Sequence, residues 1–321
     1  MVLAVERWPG VEDASEARDI AVGAWRAASD ADVVGFAVGD GGPRSADAFA
    51  GTRAEVAGVQ AVATPAGLVL APHPPATRWD PVELGTALRA LAAKPPESGA
   101  IVVPVGDEPP AGDATDVWGA ELPQLRRDLA ALQIRVLVTT DRPLLGFHGM
   151  SAALRNGRES DSALAVASQE QEERWRAIAA TADAVASRGT LLGPGRLSDA
   201  PGSGAAGGLA YCLAALGGTV TRGVDYLADT VGVGEAVAGA DLVVAVGPRL
   251  IPVTLDHGIA ATVARQAARH AVPAIALAPE VAVGRRDLMA AGLSGTHEGP
   301  AGAAGLVEAV GRAARTWAPR R

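Results

Sequence analysis

Short apolar runs that do not alternate, separated by stretches with helical spacing, set the rhythm of this chain. "MVLAVE" at the start reads as a first strand. Residues 14–29, "ASEARDIAVGAWRAAS", place Ile20, Val22, Ala24 and Trp25 at helical spacing, with Ser15 as the expected start. "DVVGFAVGDGG" (32–42) predicts a strand running into a glycine turn, and "SADAFAG" is expected to open a second helix. The opening is thus βαβα. "VQAVATPAGLVLAPHPP" predicts a β-hairpin turning at Pro65–Gly67. A helix follows over 81–93, with Leu84, Leu88 and Leu91 on one face. "AIVVPVGDEPP" (100–110) and "QIRVLVTTDRP" (133–143) read as strands ending in polar loops, with the helix "ELPQLRRDLAAL" between them. Residues 162–188 predict a long amphipathic helix whose "QEQEER" faces solvent. Beyond a turn-rich stretch, a helix is expected over 209–216, strands at "ADLVVAVGP" and "PAIALAPE" with "HGIAATVARQAARHA" between them as a helix, and a closing helix over 301–318. Runs such as "LVVAV" and "IVV" suit strands buried on both faces of a parallel sheet. The fold class is α/β, and no internal repeat is visible.

Composition narrows the function classes. The 321 residues give room for two domains or one large one. A net charge of -8 and a pI near 5.2 argue against a nucleic-acid partner, which needs a basic face. Cys212, the single cysteine, lies in a predicted helix and reads as a small core residue, which fits a cytoplasmic protein. "MVLAVERWPG" lacks the basic start and apolar core of a signal peptide, and no apolar run approaches the roughly 20 residues of a membrane span. Lys94 is the only lysine, so any chemistry that needs a lysine has one candidate.

The candidate chemistry sits in loops. "GSGAAGG" places Gly202, Gly204, Gly207 and Gly208 at the start of a helix, where exposed N–H groups and the helix dipole favour an anion. Read from the residues alone, the segment is either an anion cradle or a close-packed turn. It lacks the Lys-Ser or Lys-Thr of a Walker A loop. Asp107, Glu108, Asp113, Asp116 and Asp141 fall on loops after strands and read as metal ligands or as solvated acids. Arg142 and Arg249 are the best cations for an anionic substrate, because guanidinium pairs with carboxylate or phosphate through two bonds. His257, beside Asp256, and His148 are ligand-contact candidates; His73 and His270 read as surface residues. No His/Cys cluster has zinc spacing.

From Pro201 the chain resembles the glycerate kinase family, ATP-dependent enzymes that phosphorylate D-glycerate with magnesium, in most members giving 2-phosphoglycerate. "PGSGAAGG" is similar to the family's Pro-Gly-Ala-Gly-Ala-Ala-Gly-Gly loop, with Ser203 as the change, and "ADLVVAVGPR" and "HGIAATVARQAARHAVPAIALA" follow in family order. Asp40, Gly41 and Gly42 resemble its Asp-Gly-Gly turn, and Pro143–Gly146 its Asn-Pro-Leu-Leu-Gly segment. The resemblance implies a glycerate-kinase-like two-domain fold. A flavodoxin-like parallel-sheet domain would comprise 1–57 plus 190–321, with a second α/β domain inserted over 58–189 and the active site in the cleft between them. It further implies ATP and Mg2+ as cofactors and a small anionic metabolite such as glycerate as partner, with no nucleic acid or membrane; a homo-oligomer is left open. The substrate-binding residues it implies are Asp40, Gly41, Gly42, Gly202, Ser203, Gly204, Gly207 and Arg249, with Thr115, Asp116, Asp141, Arg142 and His257 as further candidates; it assigns no metal ligand.

The departures from the family pattern fall on polar positions. The family's Pro-Asp-Ser-Phe-Lys-Gly after the first strand is "VERWPG" here, without lysine. The family's Asp and Asn before Pro-Leu-Leu-Gly align with Thr139 and Arg142, and its Gly-Glu-Gly-Arg-Leu-Asp becomes "VGPRLIP", which keeps Arg249. Phosphoryl transfer depends on such charges. Beside the kinase reading therefore stand a catalytically inactive homologue that binds or regulates, and an enzyme redirected to another small anionic metabolite.

Overall fold

The computed structural model describes residues 1–318 apart from 50, 65–66, 75, 97–99, 120, 156–157, 159 and 187–194. In chain order the elements are β1 (Val2–Val5), α1 (Ala14–Ala28), β2 (Val34–Ala37), β3 (Arg53–Val56), β4 (Val59–Thr64), β5 (Gly67–Pro72), α2 (Pro81–Ala93), β6 (Ala100–Gly106), α3 (Leu122–Asp128), β7 (Ile134–Val138), α4 (Met150–Ala153), α5 (Ser162–Ala186), α6 (Leu209–Ala215), β8 (Thr219–Arg222), α7 (Gly223–Thr230), α8 (Val233–Val237), β9 (Val243–Val246), α9 (Pro252–His257), α10 (Ile259–Arg269), β10 (Ala274–Ala278), α11 (Arg285–Ala290), β11 (Gly295–Glu298) and α12 (Ala303–Trp317). The chain divides into two compact units. One comprises Met1–Asp40, Asp47–Ala50 and Val224–Arg321; the other comprises Gly41–Ala46 and Gly51–Gly223.

The first unit is built on a five-stranded sheet of order β11-β10-β9-β1-β2, parallel throughout. Counted within the unit, that is the 2-1-3-4-5 order of flavodoxin-like folds. β1, β9 and β10 are buried along their whole length, as the non-alternating apolar runs predict. Leu3, Val5, Val244, Val246, Ile275 and Leu277 form one core with Trp25 of α1 and with Leu306 and Val310 of α12. α10 packs on β1, β9 and β10, and α8 on β1. The start of α1 is set two residues before Ser15: Asp13 is the cap, its carboxylate accepting from the N–H groups of Ser15 and Glu16, both at 2.8 Å.

The second unit carries a six-stranded sheet of order β3-β4-β5-β6-β7-β8. β3, β4 and β5 are antiparallel, while β5 to β8 are parallel. The expected hairpin is β4–β5, paired out to Thr64↔Gly67; its turn at Pro65 lies outside the described residues. The expected helix at "SADAFAG" is only a 3-10 turn, Ser45–Ala48. There the Ser45 hydroxyl accepts from the Gly41 N–H at 2.8 Å and the Ser45 N–H donates to Gly42, so the segment is closed as a local turn. The stretch around Pro201 also sits differently from the sequence-based division. It was placed with the discontinuous domain, yet β8 extends the second sheet beside β7, and α6 joins the core of that unit through Leu209, Tyr211 and Leu213.

Candidate functional site

In the first unit the strand order reverses between β1 and β9, and a crevice opens at their carboxyl ends, where open parallel sheets bind ligands. Its cavity, a water-sized space of about 20 Å³, is lined by Glu6, Gly247, Arg249, Thr254, Gly258 and Ile259 among others. Glu6 follows β1 directly. Its backbone N–H continues the ladder to Val246 at 2.8 Å, and its side chain is 8% exposed. The carboxylate oxygen Oε2 accepts from the Ile259 N–H, at 3.4 Å, on the first residue of α10. Gly258, the N-cap of that helix, has no side chain to satisfy it, so Glu6 partly does so from a strand 253 residues away in sequence. Burial pushes the Glu6 carboxyl up, and the negative charge of Asp40 adds to this. The Ile259 N–H and Arg7 pull the other way without overcoming it, and the group stands at about 8. Glu6 was not among the sequence candidates. The signal was present in an acid placed directly after a four-residue apolar strand.

Of the sequence-predicted residues, Asp40, Arg249 and His257 lie in this unit. Asp40 is exposed on the loop after β2, Arg249 is exposed after β9, and His257 is half-buried at the end of α9. The cavity brings Glu6 and Arg249 together.

The remaining predicted residues belong to the second unit. There the glycine segment is defined by close approach. A Cβ at Gly204 would lie 2.3 Å from the Pro143 carbonyl oxygen, and one at Gly208, whose φ is +89°, would lie 2.5 Å from the Trp175 ring. Gly202 packs on Val138 and Val220, and Gly207 on Pro109 and Pro110. The N–H groups of Ser203, Gly204 and Ala205 donate to Ala200, Arg142 and Gly202. Ser203 is fully buried; its hydroxyl accepts from the Leu144 N–H at 2.8 Å and donates to the Ser198 carbonyl at 3.2 Å. Below the segment, Asp183 accepts from Ser198 Oγ at 2.7 Å and from Tyr211 Oη at 2.9 Å. Burial and the neighbouring Asp183 push the Tyr211 phenol far above its usual range, so it is a fixed donor. Gly41, at φ +96°, is pressed against Gly223, and its carbonyl accepts from Gly106 N–H at 2.9 Å.

The acids of this unit are matched with arginines. Asp107, after β6, holds Arg142, after β7, through two bonds of 2.6 and 3.3 Å. Asp141 takes Arg222 of β8 in the same forked way, Nε at 3.2 Å and Nη2 closer. Asp113 caps the 3-10 turn Ala114–Trp118, accepting from the Thr115 N–H and hydroxyl, and pairs with Arg174 of α5. Burial alone would raise the Asp113 carboxyl, but these bonds and the Arg174 charge outweigh it and hold it low. Asp116 is exposed on that turn. Glu108 lies 3.7 Å from Arg78.

The sequence pattern that defines the glycerate kinase family matches residues 99–318. The chain belongs to the glycerate kinase family. Its first 98 residues, with β1 and Glu6, lie outside the match. It is 31% identical over 217 residues to uncharacterized proteins of Mycobacterium bovis and Mycobacterium tuberculosis, a span of 65% of this chain and 51% of each relative. The chain thus spans about half the length of the curated relatives it matches. A crystal structure provisionally assigned as glycerate kinase 2 of Salmonella typhimurium LT2 has the same fold, with a TM-score of 0.64, 20% identity, and coverage of 98% of this chain and 96% of that one.

Glycerate kinase chemistry calls for Mg2+, and the three aspartate–arginine pairs do not suit it. Magnesium is held by carboxylates left open to it, whereas Asp107, Asp113 and Asp141 each carry a guanidinium. Among the described residues, no three His, Cys, Asp or Glu side chains gather into a metal set. Lys94, the single lysine, caps the far end of α2 and is exposed.

Proposed function

We propose that this member of the glycerate kinase family binds a small hydroxy-acid anion, glycerate or a close relative, and does not transfer phosphate from Mg-ATP to it. The observation that carries the reading is the set of three aspartate–arginine pairs, Asp107–Arg142, Asp113–Arg174 and Asp141–Arg222. Phosphoryl transfer works by metal ions and cations that neutralise charge as it develops. A carboxylate already neutralised by arginine is a weak magnesium ligand, and an arginine already holding a carboxylate is a weak phosphate clamp. The reading places the ligand at the mouth of the β1/β9 switch point, where open parallel sheets take their ligands and where Arg249 is exposed.

Family membership favours a second reading, an active kinase of D-glycerate. The two separate in one experiment. The purified chain is given D-glycerate, ATP and Mg2+ and assayed for phosphoglycerate, beside calorimetric titrations of D-glycerate and of Mg-ATP. The expected result is binding of D-glycerate without turnover and without heat from Mg-ATP. Turnover at ordinary kinase rates would replace the proposed reading with the second one.

A further inference from the structure

The end of the first unit's sheet opposite the crevice holds a larger cavity. It lies at the amino ends of β1 and β9 and measures about 830 Å³, within the range of small-molecule pockets. Trp25, Leu242, Trp317 and the aspartates Asp30, Asp32 and Asp241 are among the residues that line it. Two of its walls are indoles, and the two are held differently. Trp25 is fully buried, and its N–H has no acceptor among the described residues. Trp317, in the last turn of α12, is half-buried and rests on the edge strand β11. Its ring lies on Gly295, where a Cβ would come within 2.8 Å of the indole Cζ2. Its Nε1–H donates to His297 Nε2 at 3.0 Å. Gly295 and His297 stand two residues apart on β11 and share one face of it, so a single indole spans both.

An indole nitrogen can only donate. His297 Nε2 must therefore offer its lone pair, and the hydrogen of the neutral ring sits on Nδ1. A protonated ring carries N–H at both positions, so two donors would face each other across the same 3.0 Å. The elements packed most closely on β11 are β10 and α12. β10 sets Leu277 beside His297 and brings no charged side chain. α12 brings Arg312, which donates to Glu308 and to the Glu298 carbonyl. β11 itself ends in Glu298, whose carboxylate accepts from the Val281 N–H. Burial first, and then the Arg312 charge, push the His297 ring below its ordinary value. The neutral form that the bond requires is thus the form present at neutral pH.

We propose that the His297–Trp317 bond is a latch worked by one proton: closed while His297 is neutral, it pins the last turn of α12 to β11 and holds Trp317 as a wall of the cavity; opened when His297 becomes an imidazolium, it frees the indole and the cavity loses that wall. No covalent step is involved; the proton comes from solvent and returns to it. The latch's contribution to stability is full at neutral pH and is lost as pH falls through the lowered His297 value. Acidity thereby sets the shape of this cavity, whatever occupies the crevice at the other end of the sheet.

The test is nuclear magnetic resonance of the nitrogen-15-labelled whole chain, titrated from about pH 7.5 to about pH 4.5 across the histidine range. The chain has six tryptophans, and Trp317→Phe identifies the indole N–H resonance of Trp317 by its loss. That resonance and the His297 ring nitrogens are expected to shift together, with one midpoint below the ordinary histidine value. Overhauser contacts between the Trp317 ring and Gly295 are expected to vanish over the same range, while the other five indoles stay in place. His297→Gln supplies an amide oxygen that accepts at every pH, and is expected to abolish the Trp317 shift. His297→Phe removes the acceptor, and is expected to show the released indole already at neutral pH. A Trp317 resonance that stays put while His297 titrates, a shift that persists in His297→Gln, or Overhauser contacts that survive below the midpoint would each overturn the latch. So would movement of all six indoles at once, which reports unfolding of the chain rather than release of one side chain.

Discussion

Glu6 and Ser203 are both buried polar side chains, and their surroundings give them opposite duties. Burial and the nearby Asp40 charge bias Glu6, which has one long bond, toward the neutral form; Ser203 spends its only hydrogen on Ser198 and accepts from Leu144, both inside the protein. A carboxyl that is raised in the folded state stabilises fully below its unfolded value, near 4.5, and that contribution is lost as pH rises through about 8. The melting temperature of the wild-type chain should therefore fall between pH 5 and pH 8 by an increment that Glu6→Gln does not share, as followed by thermal unfolding of the two proteins. Ser203→Ala strands the Leu144 N–H and should cost about 1–3 kcal/mol of stability in denaturant titration while leaving D-glycerate affinity unchanged. The resemblance implies a ligand contact for Ser203; its bond to Leu144, 59 residues away in sequence, could not be read from the loop itself. Glu6 was legible in principle, as a charge directly after a buried strand, but nothing in the spacing distinguished it from an exposed loop acid.

The strands were the most legible elements, because burial on both faces demands unbroken apolar runs such as those at β6 and β9. The glycine segment was legible only as an ambiguity, and contacts resolve much of it. Gly204 and Gly208 sit where a side chain would strike Pro143 and Trp175, so both are required by packing. At Gly208 a left-handed backbone adds to the clash. Gly208→Ala should destabilise the chain by about 2–4 kcal/mol, seen as a lower denaturation midpoint with an unchanged slope. The short turn at Ser45–Ala48 escaped prediction for a related reason: serine and aspartate bond to nearby backbone and can end a helix before it forms.

Across the whole molecule, the pairing of acids with arginines was the least legible property. Composition shows an excess of acid over base and a near absence of lysine, yet not which aspartate meets which arginine; Asp113 and Arg174 are 61 residues apart. The division of the chain was also misread after residue 190, since a strand's sheet is fixed by the neighbour it bonds and β8 bonds β7. With the proposed ligand in the crevice, slowed amide hydrogen exchange should be concentrated at β1, β9 and the start of α10, measured with and without saturating D-glycerate; uniform slowing over the second sheet instead would move the site elsewhere. The position of β1 between β2 and β9 also has a consequence for how the protein is made. Its second partner strand leaves the ribosome about 240 residues after it, a delay on the order of 12–48 s at ordinary synthesis rates. During that interval β1 and β2 are newborn strands with an open apolar edge, and a chaperone that recognises such edges should be found on nascent chains halted before β9 and absent from those released with α12 complete.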